Sequence, residues 1–178
     1  TDGRSEPRET LIDEELTSES CARYAAFMRR AIEAVRERYP QLLYTFSIAY
    51  AEGFLNMDYS CCDLIDLHIW SVHDKQWGAE SGYNDMMAAY KNGNYNMLEM
   101  DHASKIMRHI EICCHLYPQY KDRIRLFFEK ELKRWKEFAD RNGCLIITTE
   151  SWASVVYEDV FVRGACGEWN WVKEVAEM

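Results

Sequence analysis

Hydrophobic and polar positions alternate along this chain in two periods, and the switch between them predicts its elements. Residues 1–16 are polar, with Gly3 and Pro7, and read as an entry loop. After Thr17 or Ser18, either of which can cap a helix, Tyr24, Phe27, Ala31 and Val35 recur at helical spacing and predict a helix that ends by Pro40. Residues 42–49 then alternate with period two, Tyr44, Phe46 and Ile48 on one face and the small Thr45, Ser47 and Ala49 on the other, as a strand does. A second strand, 64–70, places Ile65, Leu67 and Ile69 on one face and Asp66, His68 and Trp70 on the other. Residues 71–97 form a Gly- and Asn-containing excursion with a short helix around 84–90. Helices are expected near 98–116 and 119–141, broken at Pro118. The second presents Ile124, Phe127, Phe128, Leu132, Trp135 and Phe138 on one side, with Trp135 in the core, and Asn142-Gly143 stops it. A third strand, 145–150, follows, with Ile147 under the helices and Glu150 at its end. A loop through Gly164 and Gly167 leads to a last helix from about Glu168.

Strands that alternate with helices pair in parallel through right-handed crossovers. Strands that are apolar on one face and small or polar on the other suit a (β/α)8 barrel, whose helices cover the outside and whose chemistry stands at the strand C-terminal ends. The fold class is therefore α/β: a partial (β/α)8 TIM barrel of three parallel strand-helix units, with a long helical excursion after the second strand. A whole barrel takes about 250 residues, and this chain has 178. It is expected to be a single partial domain, roughly strands five to seven. Its open sheet edges would then favour self-association.

Composition narrows the partners. A net charge of −9 opposes nucleic-acid binding, which needs a basic face. No apolar stretch reaches the roughly 20 residues that span a bilayer, so no membrane partner is expected. Seven cysteines, four in the adjacent pairs Cys61-Cys62 and Cys113-Cys114, do not look like a secreted disulfide framework. They read as reduced thiols and favour a cytoplasmic location, although a chain that starts at Thr1 leaves localisation open. His102, His109 and Cys113 share a helix face, but without CxxC or HExxH spacing no metal or other cofactor is expected. The six Trp and eleven Tyr supply the flat apolar faces that sugar rings rest on.

The candidate chemistry lies at two strand ends. Asp66, His68 and Trp70 share a face of the second strand, and Glu150 and Trp152 follow the third. A carboxylate and an imidazole on neighbouring strands, each beside an indole, suggest a carbohydrate site. Asp66-Leu67-His68-Ile69-Trp70 resembles the end of the sixth strand in clan A glycoside hydrolases, the cellulase-like barrels. Ile147-Thr148-Thr149-Glu150 resembles the end of their seventh strand, and the likeness extends over about residues 42–178. It implies Glu150 as nucleophile, with His68 and Trp70 lining the subsite around it and His68 counted as catalytic with Glu150. Trp152, Asp66 and Tyr50 are the further substrate-binding candidates, and Asp66, deeper along its strand, also fits a structural role. The implied substrate is a β-linked polysaccharide or oligosaccharide, hydrolysed with retention.

That chemistry needs a second carboxyl as acid/base. The family keeps it in an Asn-Glu pair ending the fourth strand, and no Asn here precedes Glu. It is expected upstream of Thr1. Glu52, just past the first strand, is the in-chain substitute. Two other functions fit the same residues: a carbohydrate-binding protein without hydrolysis, and an α/β module that binds a protein through residues 71–97.

Overall fold

The computed structural model describes residues 17–84, 88, 100–152 and 173–177, with the side chains of 100–110 excepted. The entry loop, most of the expected helix at 84–90 and the start of the last helix lie outside those residues.

Helix α1 spans Ser18–Arg36, and the Thr17 side chain caps it by accepting the Ser20 N–H at 3.2 Å. Its buried face is Ser20, Cys21, Met28 and Ile32, with Tyr24 partly buried. Phe27 and Val35, expected on that face, are 55% and 46% exposed. Cys21, Met28 and Ile32 satisfy the same helical period, and they are the set that turns toward the sheet.

The strands are β1 (Ser47–Ala49), β2 (Leu64–Trp70), β3 (Leu145–Ile147) and β4 (Ser151–Trp152). All pairings are parallel: β1 lies beside β2, and β3 and β4 both lie along its other side. β1 is shorter than the expected 42–49, although Tyr44 N–H donates to the Asp63 carboxylate and Thr45 Oγ1 to the Leu64 carbonyl, so the approach is still fastened to β2.

The sheet has two unlike faces. Ile48, Ile65, Leu67 and Ile69 are buried on one, under the helices. The other carries Ser47, Ala49, Asp66, His68 and Trp70, as the alternation predicts, and among the described residues it is the more open face, with Ser47 and Ala49 exposed. Asp66 pairs with Ile147 and Ile65 with Ile146. Neighbours in register share a face, so Ile146, not Ile147, points to the helices. Ile147 is 37% exposed and Leu145 66%. The expectation for Ile147 is corrected: the strand is one residue out of phase with it.

Between β2 and β3 the chain makes a 3-10 turn at Ser71–His73, helix α2 (Lys75–Glu80), then helix α3 (Met100–Asn142). α3 is one element with Pro118 inside it, not two helices broken there. A proline forfeits one helical hydrogen bond. The apolar stripe continues across it, from Cys113 and Tyr117 to Ile124, Phe128, Trp135 and Phe138, all buried, and holds both halves on one core. Gly143 takes φ 69° after the last turn, the left-handed stop that glycine allows. Residues 173–176 are helical, and Glu174 receives Lys121 and the Tyr117 hydroxyl, tying them to α3.

The six described cysteines are free thiols. Three of them, Cys61, Cys62 and Cys144, meet in the core, where Cys144 Sγ donates to the carbonyls of Tyr59 and Cys62. Burial pushes the Cys62 thiol up to about 12, so it packs as an unreactive apolar group.

Candidate functional site at the strand ends

The register of the third strand fixes the site. Asp66 pairs with Ile147 and Ile69 with Ser151. Two residues of β2, Leu67 and His68, are therefore opposed by three, Thr148, Thr149 and Glu150. This is a β-bulge, a one-residue insertion that re-aims side chains. Regular alternation from Ile147 would send Glu150 to the helix-covered face. With the bulge, Thr149 and Glu150 both reach the open face, where Glu150 Oε2 lies 3.6 Å from His68 Nδ1 and its side chain is 63% exposed.

Asp66 is the buried centre of this arrangement. It accepts the Ser47 hydroxyl of β1 at 2.8 Å, and from the bulge both the Thr149 N–H at 3.0 Å and the Thr149 hydroxyl at 2.8 Å. Burial raises its pKa, but the bonds from Ser47 and Thr149, with His68 beside them, outweigh it, and the net shift is downward. Asp66 is held as a carboxylate. His68 Nε2 is 3.6 Å from Asp66 Oδ2 and 3.4 Å from Thr149 Oγ1. The imidazole thus stands between two carboxylates, one buried and one open.

Aromatic rings continue from there around the strand ends. Trp70 lies 6.3 Å from His68 and 5.4 Å from His73, which stacks on Tyr50 at 4.9 Å. Tyr50 meets Phe127 edge-on, and Phe128 meets Trp152 at 5.3 Å. Of the expected subsite residues, Trp70 is beside His68, on the open face. Tyr50 instead turns over the strand end toward α3: burial, then the Glu131 carboxylate near its hydroxyl, push the phenol far above its ordinary value. Trp152 also turns to α3, lining a crevice with Arg125, Leu132 and Val175. Its φ of 79° is costly for a bulky residue, and it comes two residues after the bulge.

Glu52 does not suit the acid role. It lies in the 3-10 turn Glu52–Asn56, where the hydrogen bond and charge of Arg134, 3.0 Å away, lower its pKa. A general acid must hold a proton, and this group is kept ionised. Among the described residues no group of three His, Cys, Asp or Glu is placed to hold a metal. The side chains of His102 and His109 lie outside them.

Ser47, Thr149 and His73 also belong to this arrangement and do not stand out in the sequence as site residues. Ser47 had one signal, its place among small residues on the face that Asp66 shares. Thr149 had none, because its role depends on the bulge.

Residues 6–178 match the model of the cellulase-like family, described as "sugar-binding cellulase-like". Among solved structures the chain is similar to a "putative glycoside hydrolase" from Parabacteroides distasonis ATCC 8503, with a TM-score of 0.62 and 22% identity over 86% of this chain. It spans 37% of that protein's length. No curated protein matches it.

Proposed function

Because the chain belongs to the sugar-binding cellulase-like family, we propose that it forms the nucleophile side of a retaining glycoside hydrolase acting on a β-linked oligosaccharide or polysaccharide. The observation that supports this most is the bulge, which delivers Glu150 to the open face beside His68.

In this scheme Glu150 attacks the anomeric carbon and forms a glycosyl ester as the leaving oxygen departs. His68 Nδ1 lies close enough to hold the Glu150 carboxylate in line. Trp70 offers an apolar face to the sugar ring. A second carboxyl about 5–5.5 Å from Glu150 must protonate the leaving group and later deprotonate water. Asp66 and Glu52 are both held ionised, so neither takes that role.

The test is turnover of an aryl β-glycoside by the full-length protein and its Glu150→Gln variant. Glutamine keeps the shape but cannot form the ester, so turnover falls by at least ~10³-fold while sugar affinity stays within a few-fold. Full turnover in the variant removes Glu150 as nucleophile. The family's description as sugar-binding favours a second function, carbohydrate binding without hydrolysis. Sugar affinity with no turnover in the unaltered protein would establish it.

A further inference from the structure

Asp66 lies on the same face of β2 as His68, but its side chain is buried and ionised, whereas that of Glu150 is exposed. The Asp66 carboxylate occupies the place where the ladder of the third strand is interrupted. The Thr149 N–H, freed by the bulge, goes to Asp66 Oδ1 at 3.0 Å, and the Thr149 hydroxyl reaches both oxygens. From the opposite side Ser47 Oγ bonds Oδ2 at 2.8 Å, so one carboxylate joins β1, β2 and the bulge.

A bulge leaves a residue without its ladder partner, and the unpaired N–H needs an acceptor. A buried anion is a strong acceptor, and bonds to it are roughly twice as strong as neutral ones. Glu150 is covalently next to Thr149. Fixing the Thr149 peptide and hydroxyl therefore fixes the direction in which Glu150 leaves the strand. A chain free to lose the bulge would return to regular alternation and turn Glu150 toward the helices.

We propose that Asp66 is a positioning residue: it holds the bulge open through Thr149 and so aims Glu150, without touching the sugar itself. The proposal rests on Glu150 being the nucleophile. This role differs from sugar binding, for which the sequence makes Asp66 a candidate, and from general stabilisation, which would leave the activity of each folded molecule unchanged.

The experiment compares variants of the full-length protein on an aryl β-glycoside, with and without sodium azide. Azide attacks the anomeric carbon in place of a missing carboxylate, so Glu150→Ala regains turnover when azide is added. Asp66→Asn is expected to lower kcat about 30-fold with KM within about threefold, since an ångström of misplacement in a reacting group costs up to about 100-fold. Thr149→Val, which removes only the hydroxyl link, is expected to lower kcat about fivefold and covers the case in which Asp66→Asn does not fold. Placed in the Glu150→Ala background, either change is expected to alter the azide-restored rate by less than about threefold, because there is no carboxylate left to aim. The same loss in that background as in the unaltered protein overturns the proposal, since Asp66 then acts on the sugar. Unchanged kcat in both single variants also overturns it. Failure of the nucleophile assignment shows separately, as full turnover in Glu150→Gln without azide.

Discussion

His73 accepts the Trp70 N–H at Nδ1, 3.1 Å away, and burial lowers its pKa to about 4, so the ring is neutral where it stacks between Trp70 and Tyr50. In the unfolded chain a histidine titrates near 6.5. A depressed folded pKa means that the unfolded state binds the extra proton first. Stability from this site is therefore complete above about pH 6.5 and is lost as pH falls toward 4, by about 2.5 kcal/mol at pH 4.5. Urea unfolding at pH 7 and 4.5 checks this against His73→Asn, which has no such proton: the gap between the two proteins should shrink by about 2 kcal/mol in acid. A constant gap would mean that His73 titrates alike in both states. At His68 the expectation concerns rate. In the proposed mechanism the imidazole orients Glu150 but forms no bond to carbon, so His68→Ala should cost about 10-fold to 50-fold in kcat, well short of Glu150→Gln. Equal, modest losses of kcat in the two variants would mean that Glu150 is not the nucleophile.

Elements were legible where a single period decides and obscure where two fit. The faces of β2 follow directly from Leu-Ile-Asp-Leu-His-Ile-Trp, because only one side is continuously apolar. β3 is short and all three of its residues are apolar, so alternation could not say which of them faces the helices. Thr148-Thr149-Glu150 has no apolar marker to reveal an inserted residue. Glu150 was placed on the open face from a register that the structure corrects at Ile147, and the bulge is what brings it there. In α3 the proline rule predicted a break, whereas a shared buried stripe keeps the helix continuous. α2 went unpredicted because it is six residues long and contains Gly78. A Cβ added at Gly78 would stand 2.4 Å from the Val72 carbonyl oxygen, against backbone that has no room to move. Alanine normally gains about 1 kcal/mol over glycine in a helix. Here Gly78→Ala should instead destabilise by about 2 kcal/mol, as overpacking does. Chemical denaturation measures the difference, and a stabilised variant would show that the turn at Ser71–His73 yields easily.

The described residues form a parallel sheet with helices on one face. Among them Leu145 and Ile147 are exposed on the second face, and β1 borders an apolar groove of about 580 Å³ formed with Phe27, Met28, Phe46 and Phe54. An exposed strand edge beside apolar surface is a template for another chain. The 178-residue polypeptide alone is expected to self-associate in a concentration-dependent way. Size-exclusion chromatography showing a monomer at all concentrations, with one sharp thermal transition, would contradict that. The parallel sheet was legible from the order of strand and helix patterns. The acid/base that the proposed mechanism needs was legible only as a missing Asn-Glu pair.

Covalent labelling tests the account at its centre. A 2-deoxy-2-fluoro-β-glycoside with a good leaving group slows release of the glycosyl ester, so the sugar accumulates on whichever carboxylate attacks. Applied to the full-length protein and followed by peptide mass analysis, it should place one fluorosugar on Glu150, with none on the Glu150→Gln variant. A fluorosugar on any other residue would contradict the assignment of Glu150.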